Sequence, residues 1–192
     1  MGKPFDVQSM TTAMMGAVND NFKKILKDEF SSPPTVKTSP VIINDDACME
    51  ASGLRKFHGR SYISVAYFYL SEEHAKKNQV CGTLVLYVRE GLAYQLIKAM
   101  GRVSQNEKIT EENLANACAE ACMILAEKFK KDIANLGYKE LYAATPEKHM
   151  DMVSSGVRLF DKNQKFFQEF SFYLEDVRAI VVDVVLSDIP RR

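Results

Sequence analysis

The chain has 192 residues, 25 Lys and Arg against 25 Asp and Glu, and 46% hydrophobic residues. That length suits one hydrophobic core and makes two domains cramped. The composition excludes a disordered or fibrous chain, and the charge balance removes the bulk electrostatic basis for binding nucleic acid or a membrane surface.

In chain order, the first thirty residues carry charges every few positions and have no apolar signal core. Met10, Ala13, Met14, Ala17, Val18, Phe22, Ile25, Leu26 and Phe30 recur at three- and four-residue steps, which predicts a helix over Ser9–Phe30 with one buried stripe. Ser31-Ser32-Pro33-Pro34 ends it, because proline cannot continue the hydrogen-bond ladder. A strand is expected over Thr35–Ile43, then a polar turn at Asn44-Asp45-Asp46. Tyr62–Leu70 and Gln79–Val88 are rich in β-branched and aromatic residues and read as strands on either side of a charged connection, Ser71–Asn78. A second helix over Glu90–Met100 stops at Gly101.

The third predicted helix is the clearest element. Thr110 is a natural N-cap, Glu111 and Glu112 complement the helix dipole, and Ile109 and Leu114 have the spacing of a hydrophobic staple. The helix is expected to run to Leu136 and stop at Gly137. Lys139–Thr145 reads as a short strand, and Val157–Phe160, Lys165–Leu174 and Arg178–Leu186 as three antiparallel strands joined by polar turns. Helices and strands that do not alternate one-for-one predict an α+β fold, a largely antiparallel sheet with long helices packed on it, in a single domain over residues 1–192. Strand alternation with Val182 and Val184 puts Asp183 toward solvent. The longest apolar run, Ala179–Leu186, is interrupted by that aspartate and is far too short to span a membrane. The four cysteines, Cys48, Cys81, Cys118 and Cys122, show no disulfide-framework spacing, so a reduced, cytoplasmic setting is expected.

At 100° per residue the third helix divides in two. Leu114, Ala117, Cys118, Ala121, Cys122, Leu125, Phe129 and Leu136 fall on the side that should meet the sheet. Opposite them, Asn116, Glu120, Met123 and Glu127 form one line, flanked by Asn113 and Lys130. Met123 is the odd member, an adaptable apolar side chain in a charged stripe, as at binding surfaces; a lone exposed apolar residue is the plainer reading. Cys118 and Cys122 lie one turn apart without a histidine at ligand spacing, so core is expected over a metal or redox pair. His58, His74 and His149 are scattered and read as surface or loop residues.

The spacing Asn116, three residues, Glu120, two residues, Met123, then twenty-two residues to Pro146 resembles the signature of the CheC/CheX chemotaxis phosphatases. That signature is Asp or Ser, x3, Glu, x2, Asn, x22, Pro. The order of a long N-terminal helix, the Gly82-Thr-Leu-Val-Leu-Tyr-Val strand and a helix ending at Met100-Gly101 is similar as well, and the single motif is closest to CheX-like domains. The resemblance implies the CheC/CheX-like fold and a CheY-like receiver domain as partner. In the family the glutamate pairs with a receiver lysine and the asparagine amide orients a water toward the acyl phosphate. The chain itself then needs no cofactor or metal, because magnesium belongs to the receiver. A homodimer is also expected.

Glu120 holds the glutamate position and Pro146 the proline, whereas Asn116 replaces the first acid or serine. Met123 stands where the water-orienting asparagine belongs, and Glu127-Lys128 replaces the usual Gly-Asn pair. A thioether cannot direct a water as an amide does. The expectation is a receiver-binding signalling protein with weak or lost phosphatase activity, in which Glu120 and Asn116 take the catalytic positions and Asn113, Met123, Glu127 and Pro146 meet the partner. The alternatives are an active phospho-aspartyl phosphatase using the amide of Asn116 or Asn113, or a non-catalytic dimeric scaffold.

Overall fold

The computed structural model describes residues 6–26, 35–37, 56–103, 108–152, 164–174 and 176–192. Cys48, the predicted strand over Val157–Phe160, Phe30 and the continuation of the Thr35 strand beyond Lys37 lie outside them.

Helix α1 (Val7–Leu26) starts earlier than its apolar stripe because Asp6 caps it, its Oδ1 accepting from the Ser9 amide at 3.0 Å. It buries Met10, Met14, Ala17, Val18 and Phe22. Strand β1 (Thr35–Lys37) is short; β2 (Ser61–Tyr69) and β3 (Val80–Arg89) follow the two predicted runs. The charged connection between them holds a single helical turn, α2 (Glu72–Lys76), capped by Ser71. Helix α3 (Glu90–Ala99) precedes α4 (Glu111–Asn135), the long predicted helix. Beyond it come β4 (Tyr142–Ala143), β5 (Glu147–Met150), β6 (Gln164–Leu174) and β7 (Val177–Ser187). Strand β5 was not foreseen, because Glu147-Lys148-His149-Met150 has neither the β-branched content nor the apolar alternation of a strand.

The seven strands form one sheet in the order β1-β6-β7-β3-β2-β4, with β5 also on β2, and every pairing is antiparallel. At the sheet centre Gly82 is obligatory. A Cβ there would lie 2.6 Å from Leu186 Cδ2 and 2.9 Å from the Val185 carbonyl oxygen, so β3 meets β7 this closely only without a side chain.

One face of the sheet carries the helices. Helix α4 lies over β2 and β3 and is flanked by α1 and α3. Between them Leu114, Cys118, Cys122, Leu125 and Phe129 meet Phe68, Leu84, Leu86, Val182 and Val184. The apolar half of α4 is therefore buried as expected, with Leu136 packed at its margin.

The other face overturns the expectation for Asp183. Alternation does point it away from Val182 and Val184, but that side is covered too, and Asp183 is only 3% exposed. Ile63, Val65, Val85, Tyr87 and Val181 form a second buried cluster there, with Phe57 and Tyr67 packed on it. Asp183 stands opposite Glu169 on β6, and Lys56 reaches both carboxylates, at 2.9 and 2.7 Å. Arg178 completes the group, pairing with Glu169 at 2.7 Å and donating to the Lys56 carbonyl at 3.2 Å. Buried charges are tolerated because each has an opposite partner and hydrogen bonds. His149 also departs from expectation: it lies on β5, opposite Ile63, with its side chain only 10% exposed.

Candidate functional site: the outer face of helix α4

The site is built by three local devices. Thr110 caps α4, its Oγ1 accepting from the Asn113 amide at 3.2 Å, while Asn113 Oδ1 accepts from the Thr110 amide at 3.0 Å. This is a capping box with asparagine in the usual Glu or Gln role. It fixes where the helix starts and hence which residues face outward.

The second device is the end of α3. Gly101 adopts φ +65°, the left-handed region where glycine meets no Cβ penalty. The amide of Arg102 then bonds back to the Ile97 carbonyl at 3.2 Å, and that of Gly101 to Lys98 at 3.0 Å. This pair of bonds is a Schellman cap, and it holds the Arg102 backbone beside the outer face of α4. Both Nε and Nη2 of Arg102 donate to the Glu120 carboxylate, Nε at 3.1 Å, in a two-point ion pair. The Glu120 side chain is still 38% exposed. Its hydrogen bonds to Arg102 hold the guanidinium pKa above its ordinary value.

Third, the edge strand β5 leans on the same helix. Lys148 Nζ donates to Asn116 Oδ1 at 2.8 Å, on an exposed surface. Pro146, just before that strand, is buried.

Ile97, Arg102, Asn113, Asn116, Ala117 and Glu120 together line one open depression between α3 and α4. Three of the residues named from sequence, Asn113, Asn116 and Glu120, thus share one small surface site. Met123 is half-buried and packs against the helix–sheet core instead of standing clear in the stripe. Glu127, one turn further on, pairs with Lys130 at 2.7 Å and is no part of the depression.

The chemistry available is polar recognition. Glu120 offers an anion, Asn116 an amide and Arg102 a cation. Asn113 is a poor candidate for water activation, since its Oδ1 accepts from both the amide and the hydroxyl of Thr110, the latter at 2.6 Å. Cys118 and Cys122 lie buried on the opposite side of the helix; burial pushes the Cys118 thiol up to about 12 and raises that of Cys122 as well. Neither carries thiolate chemistry near neutral pH. Among the described residues no group of three or more His, Cys, Asp or Glu could hold a metal ion, and no helix is long and apolar enough to cross a membrane.

Sequence reasoning missed Arg102 and Lys148. Arg102 directly follows the glycine that stops α3, so a Schellman reading of Gly101 would have placed its backbone, though not its partner. Lys148 carries no local signal, because its approach to α4 depends on strand pairing.

Similarity to known structures agrees with this architecture. A CheC-like superfamily protein from Shewanella sp. PV-4 superposes with a TM-score of 0.59 at 13% identity, covering 94% of this chain and 99% of that one. The chemotaxis protein CheX from Desulfovibrio desulfuricans gives 0.57 at 11% identity over 93% and 99% of the two chains. CheX from Borrelia burgdorferi, solved as a complex with CheY, BeF3 and Mg2+, gives 0.51 at 12% identity over 97% and 100%. No protein-family model matches the chain. A search of curated proteins finds no match either. The CheC/CheX-like fold implied by the motif spacing is the fold observed.

Proposed function

We propose that this chain is a CheX-like signalling protein that docks a CheY-like receiver domain through the outer face of α4, with phosphatase activity weak or lost. The observation that carries this reading is Glu120. On a CheC/CheX-like fold, the motif glutamate is partly exposed, held in a defined geometry and set in the wall of an open depression. A carboxylate so placed suits a lysine on the partner. The similar Borrelia burgdorferi protein was solved with CheY, which supports a receiver as the class of partner.

Weak activity follows from Met123. It occupies the asparagine position, has no amide, and turns part of its side chain to the core. Phosphate release from a phosphorylated receiver, measured with and without this protein, tests that half of the reading. A binding titration with the same receiver tests the other half.

A second reading, an active phospho-aspartyl phosphatase, is favoured by Asn116 alone. It is exposed and shares the depression with Glu120. However, it lies about two turns N-terminal to Met123, and Lys148 already occupies its carbonyl oxygen. A water held there would sit at a different height along the helix from one held at the motif position.

A further inference from the structure

We infer that Arg102 sets the affinity of the docking face: it is an in-chain counter-ion that any cationic partner group must displace from Glu120. The inference rests on the receiver-docking reading and adds what a partner's cation must compete with at the site.

Three observations lead to it. The pair is two-pointed, engaging both Nε and Nη2 of the guanidinium, so it occupies both carboxylate oxygens. It is positioned by backbone, because the Arg102 amide is tied to the Ile97 carbonyl and Gly101 provides the reversal. And it lies at the wall of the depression itself, with Arg102 and Glu120 both among the lining residues. The docking carboxylate is therefore not waiting with an empty coordination sphere.

Self-pairing of this kind has a definite consequence. A partner lacking a cation at the right place gains nothing from Glu120, since the Arg102 pair stays closed. A partner that brings a lysine exchanges one ion pair for another. The exchange is affordable because both side chains reach solvent, 59% exposed for Arg102 and 38% for Glu120, and exposed pairs are individually weak. Arg102 thus competes with the partner's cation, lowering affinity a little for a lysine-bearing receiver and leaving a partner without the cation unaffected.

The test uses the full chain and a CheY-type receiver activated with BeF3 and Mg2+. Arg102→Gln should bind that receiver roughly two- to fivefold more tightly than the parent at low ionic strength, the range an exposed pair supplies. The gain should shrink as salt is added. It should vanish against a receiver whose active-site lysine is replaced by methionine, because no cation then competes for Glu120. In the parent, the Arg102 Nε–H resonance should shift when activated receiver is added. Unchanged or weaker binding by Arg102→Gln, with the parent binding through Glu120, would overturn the inference while leaving receiver docking intact. Failure of both proteins to bind any receiver would overturn the two together.

Discussion

Asp183 and Glu169 face each other across β7 and β6, and the Lys56 ammonium bridges them at 2.9 and 2.7 Å. The pair lies on the sheet face away from the helices and holds Lys56 and its neighbour Phe57 against the second apolar cluster. Lys56 is only 12% exposed, so removing its charge takes the bridging cation from two facing carboxylates and leaves Arg178 on Glu169. Lys56→Met should cost about 3–5 kcal/mol of stability, the range for breaking a buried pair from one side. Asp183→Asn should cost markedly less, because burial already disfavours its ionised form and raises its pKa, and Lys56 keeps Glu169. Urea unfolding midpoints for the two variants check this; equal losses would contradict it.

The same group predicts an alkaline transition. Burial works against the Lys56 charge, but Asp183 and Glu169 outweigh it and raise the Lys56 pKa above its ordinary 10.5. A raised folded-state pKa means the contribution is fully present below the unfolded value and is lost as pH rises through the folded one. The parent should therefore lose thermal stability above about pH 10.5, more steeply than Lys56→Met does over the same window. Parallel pH profiles of the two proteins would contradict the assignment.

Asn113 is expected to matter for folding and not for chemistry. Asn113→Ala removes one half of the capping box and should destabilise the chain by about 0.5–1 kcal/mol. Phosphate release and receiver affinity, measured well below the melting temperature, should be unchanged. A selective loss of phosphate release would restore Asn113 as a working amide.

Met123→Asn replaces the thioether with the missing amide at the motif position. Since Glu120 is already partly exposed and fixed, phosphate release from a phosphorylated receiver should rise by roughly ten- to a hundredfold over a near-zero parent rate. The swap removes apolar surface from the edge of the core, so about 1 kcal/mol of stability should be lost with it. A parent rate that is already robust, and that disappears in Asn116→Ala, would favour the active-phosphatase reading.

Much of the fold was legible because its elements carry strong local periodicity. The Met10–Phe22 stripe, the Thr110 cap and the apolar runs of β2, β3 and β7 each specify their structure within a few residues. The outer face of α4 was legible for the same reason, since 100° per residue sorts Asn116 and Glu120 from Cys118 and Cys122. What escaped depends on distant neighbours. Asp183 alternates as expected, yet its face is buried by residues more than a hundred positions away in the chain, including Lys56. Likewise Arg102 and Lys148 reach the site through the end of another helix and through an edge strand, and neither approach is written in their own neighbourhoods.

The central claim is that Glu120 makes this face a receiver-docking surface, and the most direct test is a salt titration of Glu120→Gln. The substitution keeps the shape and removes the charge. Binding to a BeF3-activated CheY-type receiver should weaken several-fold at low ionic strength, and the difference from the parent should narrow as salt screens the pair. Equal affinities for the parent and Glu120→Gln at every salt concentration would mean that this face is an ordinary solvated helix surface.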